Sequence, residues 1–110
     1  MNLTGYHVHF YCRLEQMNLA QSIRDALLKE VSAIEGAGSV RNRPVGPHTL
    51  PMFEAWFQPD ALSEVIPWIL QHRKNLSVLL HPITGDDYID HTEHAMWIGE
   101  KVPLNLEVLR

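Results

Sequence analysis

The sequence contains a single cysteine, Cys12, among its 110 residues. No disulfide can form within the chain, and a lone thiol suits a reducing compartment. It also lacks an apolar run of membrane-spanning length and a basic start followed by an apolar stretch, so the protein is expected to be soluble and cytoplasmic. Basic residues are few: nine Lys and Arg stand against thirteen Asp and Glu, for a net charge of −4 and a sequence pI near 5.9. They are scattered, apart from Arg41 to Arg43 and His72 to Lys74. That balance argues against a nucleic-acid or anionic-membrane partner, either of which needs clustered positive charge. There is no internal repeat, low-complexity tract or linker. With 45% apolar residues, positions 1–110 are expected to form one domain around one core.

Histidine is what the sequence has in excess. There are seven, and all but His72 fall in three short contexts: "HVH" at His7 and His9, "GPH" at His48, and "HPITGDDYIDHTEH" from His81 to His94.

The surrounding patterns give an ordered alternation. Gly5 to Arg13 sets Tyr6, Val8, Phe10 and Cys12 against His7, His9 and Tyr11, a period of two that predicts a strand. Asn18 to Glu35 carries Leu19, Ile23, Ala26, Leu27, Val31 and Ile34 at helical spacing, stopped by "EGAGS". Ser39 to Val45 reads as a short, polar edge strand ended by proline. Leu50 to Phe57 is a further strand. A helix then starts with Asp60 as N-cap and Glu64 in its first turns, with Leu62, Val65, Ile66, Ile69 and Leu70 on one face; Pro67 should kink or break it. Leu76 to Pro82 reads as a buried strand, and an apolar "AMWIG" closes the pattern. The order β-α-β-β-α-β is most economically met by an α+β, ferredoxin-like sandwich: an antiparallel sheet with two helices on one face, plus a C-terminal extension.

In that topology the first strand is central, flanked by the third and fourth. If Val8, Phe10 and Cys12 face the helices, then His7, His9 and Tyr11 face the other way. One register puts His9, His81 and Glu54 on that same face, with His48 at the mouth of the third strand. Strands ~5 Å apart let side chains of this length meet at one ion. Imidazole with carboxylate is the donor set of zinc and of the two-histidine, one-carboxylate iron site. "TGDDYID", Thr84 to Asp90, is acidic but lacks the alternating oxygen donors and distal glutamate of a calcium loop, so a turn is expected there.

The segments "YHVHFY", "RPVGPHTLPMFEAWF" and "LLHPITGDDYIDHTEHAMWIG" together resemble the motifs of the DOPA 4,5-dioxygenase family, in the family's order and over nearly the whole chain, from Tyr6 to Gly99. Thr49 stands where a proline often follows "GPH", and Ile83 where a polar residue is usual in "HPxTG"; neither change removes a candidate ligand. The resemblance implies extradiol cleavage, in which O2 opens a catechol ring beside its two hydroxyls. It places the family's histidines on His9, His48, His81 and His91.

Such chemistry needs Fe(II) with an incomplete protein shell, zinc being the alternative ion. His9, His81 and His48 are the expected ligands, with Glu54 the alternative third. A proton-transfer residue is also needed, for which His91 is the first choice and His7 the second. Tyr11, Met52 and Trp56 on an open sheet face would form an apolar patch that a homodimer could cover. The competing reading from another class is a non-enzymatic metal- or small-molecule-binding dimeric protein of the same fold.

Overall fold

Strand β1, Tyr6–Tyr11, sorts its side chains as its alternation requires, sending Val8 and Phe10 into the main core and His7, His9 and Tyr11 to the opposite face. The computed structural model describes residues 1–110. After β1 come α1 (Met17–Glu30), β2 (Ile34–Ala37), β3 (Met52–Phe57), α2 (Leu62–His72), β4 (Ser77–Pro82), the short helix α3 (Asp87–Asp90) and β5 (Met96–Ile98). The strands form one antiparallel sheet in the order β2-β3-β1-β4-β5. The first four, β2-β3-β1-β4, reproduce the ferredoxin-like order expected from the alternation, and "AMWIG" supplies the fifth strand at the edge beside β4.

Helix α1 buries Ala20, Ile23 and Leu27, and α2 buries Val65, Trp68 and Ile69. Both pack on the face carrying Val8, Phe10, Phe53, Ala55, Phe57, Val78 and Leu80. Phe10 stacks on Phe53 across the β1–β3 pair, with ring centroids 4.7 Å apart. Truncating either ring to alanine would cost ~3–5 kcal/mol through lost burial and the cavity left behind.

Several boundaries differ from expectation. Helix α1 stops at Glu30 because Val31 is extended (φ −113°, ψ 92°), and Ile34 begins strand β2, not a last helical turn. That strand, and not Ser39–Val45, is the edge partner of β3; the 39–45 segment pairs with the sheet's backbone only through the isolated Arg41–Met52 bridge. Asp60 lies in a 3-10 turn, Pro59–Ala61, ahead of α2 and makes no capping bond. Pro67 sits inside α2 without ending it.

The second sheet face is not open. Tyr11, Met52 and Leu79 are sealed by Val102, with Val45, Leu50, Ala95, Trp97 and Leu104 packed around them. Tyr11 and Met52 are therefore buried by the chain itself, so the apolar patch that would call for a two-fold partner is not exposed; Trp56 alone of the three is half-buried. No helix is long and apolar enough to cross a membrane. What this cover leaves, at the other end of the face, is a histidine-lined cavity.

Candidate metal centre

Three strands and two connections build the cavity. Strand β1 supplies His7 and His9, β3 supplies Glu54, and β4 supplies His81; the β2–β3 connection brings His48, and the turn after α3 brings His91. Within the sheet, His7 lies directly opposite His81, and His9 directly opposite Glu54. His81 thus stands two residues along β4 from Leu79, the residue directly opposite His9. Parity is kept, however, and the diagonal is short enough to bring the Nε2 atoms of His9 and His81 to 3.1 Å.

His48 is carried beneath the sheet by the irregular 38–51 segment. It packs on His9 with ring centroids 4.2 Å apart, and its Nδ1 lies 2.7 Å from the Tyr11 hydroxyl. Gly46, in the left-handed region at φ 55°, and the Val45–His48 bridge close the turn that delivers it. His91 lies tilted over His81 with ring centroids 4.2 Å apart, and its Nδ1 donates to the Asp87 carbonyl at 2.7 Å. His81 donates from Nδ1 to the Pro82 carbonyl at 2.9 Å. Ligand atoms come within 4.8 Å of one another in two groups that share His9: His7, His9 and His81, and His9, His48 and His91. The cavity measures about 270 Å3. That is just under the ~300 Å3 at which small-ligand sites begin, room for one aromatic ring.

Burial decides the electrostatics. His9, His48 and His81 are 1%, 6% and 3% exposed. Desolvation, reinforced by neighbouring imidazoles, holds His9 well below the ordinary histidine range. Desolvation also takes His48 down to about 4, and His81 to about 4 even though the Pro82 carbonyl pulls the other way. At neutral pH these imidazoles are uncharged, the state a metal ion requires. Burial raises the Tyr11 phenol, which keeps its proton.

The structure brings together every residue singled out from the sequence, His7, His9, His48, Glu54, His81 and His91, around this one cavity. His94 points elsewhere, to the Asp90 carboxylate at 3.4 Å. Three contributors escaped the sequence reading. Tyr11 was placed in an apolar patch, although its parity with His7 and His9 was the available signal. Arg41 lines the cavity as its one non-histidine base, and nothing local distinguishes it from Arg43. Asp90 is 1% exposed and ties the loop back to β4 by accepting from the Thr84 backbone N–H at 2.9 Å and hydroxyl at 2.6 Å. "TGDDYID" is accordingly a turn and a short helix, capped by Asp86 accepting from the Ile89 N–H. A larger cleft, about 610 Å3, lies beyond Tyr11 between Cys12, Gln16, Asn75 and Lys101 and contains no imidazole.

On the face away from its helices, this ferredoxin-like sheet carries a buried cluster of neutral imidazoles, with two groups of donor atoms close enough together to hold a metal ion. The chain belongs to the Dopa 4,5-dioxygenase family, whose model matches residues 6–108. The crystal structure of a "putative dioxygenase" from Nostoc punctiforme shares the fold with a TM-score of 0.91 and 32% identity, over 97% of this chain and 91% of that one. A DOPA 4,5-dioxygenase of Amanita muscaria is 32% identical over 89% of this chain, and an uncharacterized 21.2 kDa protein of Botryotinia fuckeliana is 33% identical over 93%. The chain spans 47% of the length of the first of these fungal proteins and 60% of the second.

Proposed function

We propose that this protein is an extradiol-type dioxygenase that opens the ring of a catechol with O2 at a non-haem Fe(II). The observation that carries the reading is the meeting of His9 and His81. Their Nε2 atoms are 3.1 Å apart, while His9 Nδ1 is buried without a hydrogen-bond partner, 3.7 Å from a Glu54 oxygen.

No arrangement of neutral tautomers satisfies that pair. His81 gives its one proton to Pro82, so its Nε2 bears a lone pair. If His9 carries its proton on Nε2, it can donate to His81, but its bare Nδ1 then faces a carboxylate. If it carries the proton on Nδ1, two lone pairs oppose each other at 3.1 Å. A cation between the two nitrogens removes the conflict. The separation suits it: nitrogens ~2.0–2.1 Å from one ion come about 2.8–3.4 Å apart between a right angle and the tetrahedral angle. The donor set therefore fits a metal, with His9 and His81 holding it and a third imidazole, His7 or His48, completing the shell. All-imidazole donors accept iron and zinc alike.

An Fe(II) ion held there would bring both catechol oxygens and O2 to one centre and pass electron density between them. The remaining residues would manage the protons. His91, with Nδ1 committed to the Asp87 carbonyl, keeps a lone pair on Nε2 and is placed to take a catechol proton. Of the two candidates for the third donor, His7 is half-buried at the strand's start and lies nearer solvent than His48. Tyr11, Met52 and Leu79 close the inner end against water. The product is a ring-opened semialdehyde that retains both atoms of O2.

Anaerobic loading with Fe(II), then a catechol and air, should give the yellow absorbance of the ring-opened product. No product from catechol, DOPA, caffeate or protocatechuate would sink the proposal and leave metal binding without catalysis.

A further inference from the structure

The five imidazoles of the cavity divide according to what faces their Nδ1 atoms. For His81 it is the Pro82 carbonyl, and for His91 the Asp87 carbonyl. For His9 and His7 it is the Glu54 carboxylate, at 3.7 and 4.0 Å. Carbonyl and carboxylate oxygens only accept, so each favours a proton on Nδ1 and leaves a lone pair on Nε2. For His48 it is the hydroxyl of Tyr11, at 2.7 Å. A hydroxyl can give or receive, and here the choice is forced. Tyr11 is 2% exposed, and His48 Nδ1 is its hydroxyl's one polar partner. If His48 donated, the phenol proton would be buried without an acceptor, at a cost of ~1–3 kcal/mol. If Tyr11 donates, both groups are satisfied.

We propose that Tyr11 fixes His48 in the opposite tautomer, with its proton on Nε2, so that His48 is a hydrogen-bond donor to the bound substrate and not a metal ligand. The donor role rests on the ring-cleavage reading above. The set left for the ion is His7, His9 and His81, one of the two groups whose ligand atoms lie within 4.8 Å. The other group is split: His9 holds the ion, His91 offers a lone pair and His48 an N–H. Tyr11 is a positioning residue, touching His48 and separated by it from the substrate. The same logic gives Glu54 a part behind His7 and His9 and not on the ion, since metal-bound imidazoles as a rule donate their other N–H to a carboxylate or carbonyl.

The tautomer of each ring can be read directly in the metal-free, unaltered protein by long-range proton–nitrogen correlation on 15N-labelled histidine at pH 7.5. His48 should be protonated on Nε2, and His81 and His91 on Nδ1; a proton on His48 Nδ1 overturns the proposal. In Tyr11→Phe, which keeps the ring and removes the hydroxyl, His48 should become a mixture of tautomers. An unchanged His48 there would deny Tyr11 its role. Zn2+ titration supplies the second measurement. His48→Gln, which retains an N–H donor, should bind as the parent does, whereas His7→Ala and His81→Ala should each weaken binding beyond the ~10–100-fold that loss of an outer partner costs. Loss in His48→Gln equal to that in His81→Ala would make His48 a ligand and end the proposal; retained binding in His7→Ala would end the assignment of the set. None of these readouts requires turnover. A protein that cleaves no catechol yet shows His48 protonated on Nε2 therefore refutes the activity and supports the tautomer.

Discussion

Glu54 faces His9 across the β1–β3 pair and holds one carboxylate oxygen between the Nδ1 atoms of His9 and His7, at 3.7 and 4.0 Å. A carboxylate so placed favours a proton on both Nδ1 atoms and, with a metal on the Nε2 side, would be the outer partner of both rings. Glu54→Gln keeps an acceptor and loses the charge, so Zn2+ binding should weaken about tenfold. Glu54→Ala removes both and should approach 100-fold, the upper range for an outer partner. If Gln and Ala variants were equally unable to hold metal by elemental analysis, Glu54 would be a direct ligand.

The metal-free protein should lose stability in mild acid. In the folded state His48 and His81 are held near 4, and His9 well below its ordinary value, chiefly by burial. Unfolded, all three titrate near 6.5. Between those limits the unfolded chain binds more protons, so stability is complete above about pH 6.5 and declines toward pH 4, at ~1.4 kcal/mol per pH unit for each proton taken up. Asp90 is held below its ordinary value because its hydrogen bonds from Thr84 outweigh desolvation; its contribution is lost only at lower pH. Urea midpoints should therefore be flat from pH 8 to 7 and fall steeply from 6 to 5. A flat profile down to pH 5 would contradict buried neutral imidazoles. Saturating Zn2+ should raise the midpoints, because an ion that binds only the folded state stabilises it.

Much of this arrangement was legible in the sequence, and the exceptions have physical causes. The alternation of Tyr6 to Cys12 placed His7, His9 and Tyr11 on one face, because period two permits no other sorting along a strand. The apolar run to Pro82 located His81 for the same reason. The end of α1 was not legible, since Ile34 continues the helical spacing while belonging to β2. The clue was Gly36: an added Cβ would stand 2.6 Å from the Trp56 indole, and glycine inside a strand marks such close approaches. The path from Gly38 to Pro51 was misread because its partners lie across the sheet in sequence-distant segments. Thr49, for example, donates to the Pro103 carbonyl at 2.6 Å. Tautomers were beyond reach, because they depend on which acceptor meets each Nδ1 in space.

Arg41 should tune substrate choice. It lines the cavity formed by His7, His9 and Glu54, and it is exposed, where a guanidinium can pair with a carboxylate on the far end of a catechol. An exposed pair of this kind is worth ~0.2–1 kcal/mol, and a bidentate one more. Arg41→Gln should raise KM about three- to tenfold for a catechol bearing a carboxylate, leaving kcat and the KM for unsubstituted catechol unchanged. Equal effects on both substrates in steady-state assays would remove Arg41 from recognition.

Asp90 should prove to be the fastening of the loop that presents His91. Its carboxylate, 1% exposed, accepts from both the backbone N–H and the hydroxyl of Thr84, two residues beyond the end of β4. Helix α3 runs directly into His91, whose ring lies over His81 at 4.2 Å. Asp90→Ala leaves the Thr84 donors without their acceptor at a cost of ~1–3 kcal/mol, more for bonds to a charged group. For a domain of this size each 1 kcal/mol lowers Tm by about 4–8 °C. Asp90→Asn keeps one acceptor oxygen and turns an NH2 group toward a donor, so it should recover only part of that loss. Thr84→Val, which deletes the hydroxyl and retains the backbone N–H, should cost less than Asp90→Ala. If the carboxylate works by holding His91 in place, Asp90→Ala should lower kcat well beyond its effect on Zn2+ affinity, because His9 and His81 are anchored on strands that Asp90 does not hold. Calorimetry on the three variants, together with Zn2+ titration and turnover, tests this. A parent-like Tm in Asp90→Ala, or metal binding reduced as far as turnover, would show that the loop is held by other means.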